Sequence, residues 1–139
     1  LKDYTAVIEA VNPNAYAIME HFADNSEESV LAANSMIMWG NMNYKYIQAG
    51  GGWVSGSNSD LSWASYKQRG WVQPNLVAYM ESHDEERTMF KNISAGNISK
   101  PPYSVRDTNT ALKRIELNAN FFFTIPGEPC KLKICQFAI

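Results

Sequence analysis

The chain has 139 residues and a formal net charge of −2, from 12 Lys and Arg against 14 Asp and Glu. That length suits one compact domain and is too short for a complete (β/α)8 barrel, which needs roughly 200 residues at the least. Charges of both signs are scattered, which argues against the basic face of a nucleic-acid binder, and no apolar run approaches the about 18 residues of a membrane span.

Tyr4, Val7, Ile8 and Val11 recur at helical spacing behind Asp3, a candidate N-cap, and Pro13 ends that helix. The chain opens at Leu1 directly in this pattern, without a signal peptide, and reads as cut from something longer. Ala15–Met19 is a short apolar run without alternation, the pattern of a strand buried on both faces in a parallel sheet. Polarity rises at Glu20-His21, and Ser26 is placed to cap a short helix with Glu27 and Glu28 in its first turn. Met36–Trp39 is a second apolar run. Gly50-Gly51-Gly52 and Ser55–Asp60 then mark a long loop. Leu61–Arg69 reads as a helix, capped by Ser59 or Asp60 and ended by Gly70. A third run, Leu76–Met80, ends in the polar cluster Glu81–Arg87. A loop through Gly96 and Pro101-Pro102 follows. The strongest helix pattern starts at Asp107 or Thr108, puts Leu112, Ile115, Ala119 and Phe122 on one face, and stops at Pro126-Gly127. Leu132–Phe137 is a weaker strand candidate. A strand there would put Cys130 and Cys135 on opposite faces, which argues against a disulfide between them.

Strands alternating with helices predict a parallel sheet with right-handed crossovers, and chemistry in such folds gathers at the carboxyl ends of the strands. Glu20 closes the first run, and His83-Asp84 follow the third, so all three are expected on one rim. Two readings stay open for each. Glu20 either marks the return to solvent or serves as a general acid whose pKa is raised by Met19 and Phe22 beside it. His83-Asp84 is either a solvated turn or a donor and acceptor pair suited to sugar hydroxyls. Two carboxylates facing one cleft are what glycoside hydrolysis uses. Trp39, Tyr44, Tyr46 and Trp53 fall in or near the long loop, as packing or as platforms for the apolar faces of sugar rings. Gly50–Gly52 lacks the Gly-Lys-Ser/Thr of a phosphate loop. Asn92-Ile93-Ser94 and Asn97-Ile98-Ser99 match the glycosylation sequon, which has meaning only in a eukaryotic secretory chain.

The segment NLVAYMESHDEERTMFKN (Asn75–Asn92) closely resembles the seventh-strand motif of the alpha-amylase family of glycoside hydrolases, family 13, most of all its secreted bacterial members. AYAIMEHFADNSEE (Ala15–Glu28) resembles that family's fifth-strand motif, and MIMWGNMNY, DLSWASYKQRGW and NTALKRIELNANFFFTIPG fit the same group in order and spacing, over about residues 1–127. The resemblance implies half of a (β/α)8 barrel, approximately strands five to eight in about four βα units, with residues 128–139 as a divergent tail. It implies retaining cleavage of α-1,4 bonds in starch-like glucans. Glu20 then matches the acid/base, Asp84 the third carboxylate that holds sugar hydroxyls, and His83 the histidine that hydrogen-bonds the first sugar. It also implies a secreted or periplasmic setting. Calcium is bound by many members, but no ligand is assignable here. The family nucleophile sits in a Gly-x-Arg-x-Asp motif on the fourth strand, and these 139 residues have no such motif. A non-catalytic carbohydrate-binding or structural fragment is therefore the second expectation. A nucleophile recruited from Asp24, Glu81, Glu85 or Glu86 is the third. A lone half barrel also exposes two sheet edges, which predicts self-association.

Overall fold

The computed structural model describes residues 1–125. Its elements run α1 (Lys2–Val11), β1 (Ile18–Met19), α2 (Asn25–Ala33), β2 (Ile37–Asn41), α3 (Asn43–Gly51), a single 3-10 turn at Ser62–Ala64, β3 (Leu76–Tyr79), α4 (Thr88–Ala95) and α5 (Thr108–Thr124). The three strands form one parallel sheet in the order β1-β2-β3, with Ile18 opposite Ile37, Met38 opposite Leu76 and Asn41 opposite Tyr79. The fold is therefore mixed α/β with sequential parallel strands, and all three strands end on the same rim. The fourth strand candidate, Leu132–Phe137, and both cysteines lie outside the described residues.

Alternation along the strands sorts the two faces. Met19, Met38 and Leu76 point to one side. There Met38 and Leu76 join Leu31, Ala32, Met36, Tyr66 and Trp71 in a core under α2, and Met19 packs against it. Met36 and Met38 are fully buried, and each such side chain contributes about 1.5–3 kcal/mol. Trp39, Asn41, Val77 and Tyr79 share the other side, where the Trp39 and Tyr79 rings meet at 5.0 Å. A second core joins Met42, Tyr46, Ala64 and Met80, with Phe122 and Ile125 of the α5 end packed on it. Each outer strand has one neighbour among the described residues, and β1 is half-buried rather than covered on both faces.

Several local expectations are corrected. Gly50-Gly51 is not loop but the last turn of α3, and Gly52, at φ +78°, is its left-handed C-cap. A Cβ on Gly50 would come within 2.8 Å of the Asn118 amide, so the glycine permits α5 to approach. Arg114 completes that junction by donating from Nε to the Gly50 carbonyl at 3.1 Å and from Nη2 to that of Ala49. The predicted helix over Leu61–Arg69 is only one 3-10 turn, because Ser65 turns extended and the Arg69 Nε folds back to donate to the Trp63 carbonyl at 2.8 Å. Helix α4 was not predicted. Its first free N–H, at Thr88, donates to the Glu81 carboxylate at 2.6 Å. In α5 the Asp107 cap holds, but the buried face is rotated. Ala111 and Asn118 are buried, whereas Leu112 faces out. The α1 helix forms, but Leu1 rather than Asp3 takes the N-cap position, Asp3 lies in its first turn, and Tyr4, Val7, Ile8 and Val11 stay exposed among the described residues.

Candidate functional site

The rim at the carboxyl ends of the strands carries Glu20, Asn41 and the loop after Tyr79. Glu20 directly follows β1 and is exposed. Two residues on, Phe22 is held at φ +50° with its side chain half outside the fold. A bulky L-residue in the left-handed region is strained by about 1–2 kcal/mol, and such strain clusters at functional segments. His21 turns away from the rim acids and pairs its Nε2 with Glu27 Oε1 at 2.8 Å. The His83-Asp84 turn follows β3, with His83 Nε2 3.3 Å from Asp84 Oδ1 and both side chains mostly exposed, at 64% and 59%. The structure thus places Glu20, His83 and Asp84 on one rim, with β2 between the strands that carry them. It brings His83 and Asp84 into direct contact.

Between them stands Tyr79. Burial is the main cause that pushes its hydroxyl well above the ordinary phenol range, followed by its hydrogen bond to Glu85, the negative charge of Glu85 and, more weakly, the charge of Glu20. Tyr79 is accordingly a donor at any physiological pH.

The acids of the polar cluster divide by what they touch. Glu85 Oε1 accepts from Asn41 Nδ2 at 2.6 Å and from Tyr79 Oη at 3.1 Å, and Oε2 accepts from Ser82 Oγ. Glu81 caps α4, and Glu86 pairs with Lys91. Asp24 stands at the N-cap of α2. Three of the four acids weighed as recruited nucleophiles are thus tied into the local frame, and Asp24 belongs to a helix start. Sequence reasoning missed the role of Glu85. The one available signal was its position six residues after Tyr79 and one after Asp84, in a loop too short to send it elsewhere.

The four aromatics separate in the same way. Tyr46 is core, Trp39 meets Tyr79 in a tilted ring pair, and Trp39 Nε1 is buried without a hydrogen-bond partner among the described residues. Tyr44 and Trp53 line a hollow of about 260 Å³ beside α3 and α4, and Trp53 Nε1 donates to the Ala95 carbonyl at 3.2 Å. The sequon asparagines are sequestered: Asn92 is fully buried and Asn97 Nδ2 donates to the Gly52 carbonyl at 2.9 Å. Among the described residues no three His, Cys, Asp or Glu side chains come together as a metal site. No helix among them is long and apolar enough to cross a membrane. No protein-family model matches the chain, and no curated protein is similar to it in sequence.

Proposed function

We propose that the chain is a partial (β/α) barrel of an alpha-amylase-type glycoside hydrolase, approximately its strands five to eight, acting on α-1,4-linked glucans. The observation that supports this reading best is positional. Glu20 and the His83-Asp84 pair stand at the carboxyl ends of parallel strands in one sheet, open to solvent, where a polymer can reach them. In this reading Glu20 protonates the leaving oxygen, Asp84 holds sugar hydroxyls beside the reacting carbon, and His83 donates to the first sugar. A retaining mechanism also needs a nucleophilic carboxylate about 5–5.5 Å from the acid. The resemblance provides no counterpart for it within these residues.

Starch hydrolysis by the wild type and by Glu20→Gln tests the proposal. Activity that disappears in the variant supports it, and activity that persists unchanged assigns the chemistry elsewhere. The commitment of Glu81, Glu85 and Glu86 to structural partners favours a second reading, a glucan-binding or structural unit without turnover. Glucan retention without hydrolysis in either protein is its signature. The free edges of β1 and β3 among the described residues add self-association through strand pairing as part of the proposal. A monomer by light scattering across the micromolar range would remove that part.

A further inference from the structure

Glu85 is where β2, β3 and the rim loop meet. Three donors from three segments converge on its carboxylate: Asn41 at the end of β2, Tyr79 at the end of β3, and Ser82 in the loop itself. Ser82 then passes the constraint on, because its Oγ accepts from the Asp84 backbone N–H at 3.2 Å. Asn41 is fixed in turn, with its Oδ1 accepting from the Asn43 N–H at 2.9 Å. Beyond these links, the side chains of His83 and Asp84 pair with each other.

We infer that Glu85 is a positioning residue for the sugar-binding rim, which holds the His83-Asp84 turn at a fixed height over the ends of β2 and β3 so that the two side chains meet a glucan already in place. This inference rests on reading the rim as a glucan site. The chemistry explains the residue type. A carboxylate is acceptor-only, with room for several donors on its two oxygens, and charge-assisted hydrogen bonds are the strong ones. A glutamine of the same shape carries no charge and turns an NH2 group toward one of the three hydrogen-bonding partners, so the bonds lose their charge assistance and at least one must reverse direction or break. A turn left loose has to be ordered by the ligand, and that ordering subtracts from affinity. With three structural donors on its two oxygens, Glu85 is committed to the network rather than presented to a reacting carbon.

The test uses the whole chain, as wild type, Glu85→Gln and Tyr79→Phe, with maltoheptaose as the probe. Backbone 15N order parameters for residues 82–86 are expected to fall in Glu85→Gln from the rigid value of about 0.85 to below about 0.6, while those of α5 stay unchanged. Maltoheptaose affinity is expected to fall about tenfold, the loss of one charge-assisted hydrogen bond. Tyr79→Phe removes one donor and keeps the carboxylate. It is expected to shift both readouts in the same direction by less, and it decides the matter should Glu85→Gln loosen the whole chain. A wild type and Glu85→Gln that bind equally well would overturn the positioning role and leave the glucan reading standing. A wild type that binds no maltoheptaose would end the glucan reading, and a Glu85→Gln loop as rigid as the wild-type loop would then overturn the positioning role as well.

Discussion

The buried pair Arg69–Glu28 gives the sharpest quantitative prediction. The guanidinium Nη1 lies 3.3 Å from Glu28 Oε2, and the side chains are only 5% and 6% exposed. Arg69 is further held between the rings of Trp63 and Trp71, each 5.3 Å from its Cζ. Burial pulls the Arg69 pKa below the ordinary guanidinium value, and the attraction of Glu28 recovers only part of that drop. Desolvation therefore outweighs the ion pair, so the pair as a whole adds little, whereas each partner alone is costly. Glu28→Gln leaves the guanidinium buried and uncompensated, at a cost of about 3–5 kcal/mol. With an unfolding entropy of about 2.1 cal/mol/K per residue over the folded part, that loss lowers Tm by roughly 11–19 °C. It is also a large part of the 5–15 kcal/mol typical of a whole domain. The double variant Glu28→Leu with Arg69→Met removes both charges at similar volume and is expected to recover most of the loss. Urea unfolding followed by tryptophan fluorescence measures all three, since Trp63 and Trp71 report on the pair directly. A loss below about 1 kcal/mol in Glu28→Gln, or a double variant as unstable as the sum of its single changes, would refute the reasoning.

The same clamp predicts that Gly40→Ala is destabilising, because its Cβ would stand 2.6 Å from Arg69 Nη2 and 2.8 Å from Leu76 Cδ1. A loss of about 1–3 kcal/mol in chemical denaturation is expected, as for other overpacked cores. At Phe22 the comparison is between two truncations: Phe22→Gly should exceed Phe22→Ala in stability by about 1 kcal/mol, because only glycine sits at φ +50° without strain. Equal stabilities would mean that the backbone relaxes there. Asp107 accepts from the Thr110 N–H at 3.0 Å, and that bond and the Thr110 hydroxyl hold its carboxyl below the usual aspartate value. A depressed carboxyl pKa stabilises the fold above the unfolded-state value, and that contribution is lost as pH falls through the folded-state value. Wild type is therefore expected to lose α5 stability on acidification below the ordinary aspartate range, and Asp107→Ala to show a weaker acid dependence by circular dichroism.

The three strands were legible because their apolar runs are short and end in polar residues. Their parallel arrangement followed from the helical segments between them. That same arrangement carried Glu20 and His83-Asp84 to one rim. Two of the misreadings, Gly50-Gly51 and the buried face of α5, share one physical cause, polar or small residues used for packing between helices. Gly50 and Gly51 resemble a loop until Asn118 and Asn92 are found close against them. Asn118 donates from Nδ2 to the Tyr46 carbonyl at 2.9 Å, so the buried stripe of α5 contains an amide and a guanidinium that no apolar periodicity registers. Helix α4 hides because its cap, Glu81, lies seven residues away in sequence. Glu85 hides for the opposite reason. It sits in a run of acids that looks solvated, and only the fold brings Asn41 to it from 44 residues away.

The rim's acids therefore fall into two chemical groups, and the division bears on what the chain can do. Glu81, Glu85 and Glu86 are each engaged by a structural partner: a helix N–H, a three-donor network and a lysine. Glu20 and Asp84 project from the ends of the outer strands of the sheet. A carboxylate that attacks a sugar carbon needs a free lone pair and a fixed approach, and those that are fixed here are fixed by structural partners. In a sequential parallel sheet, a strand paired on the free edge of β1 would end beside Glu20, on the side away from β2. On the proposed reading, that edge is where an acid from another segment or another copy would reach the sugar. On the proposed reading, acid catalysis and sugar binding fall to Glu20, His83 and Asp84, whereas the covalent step depends on what pairs with β1.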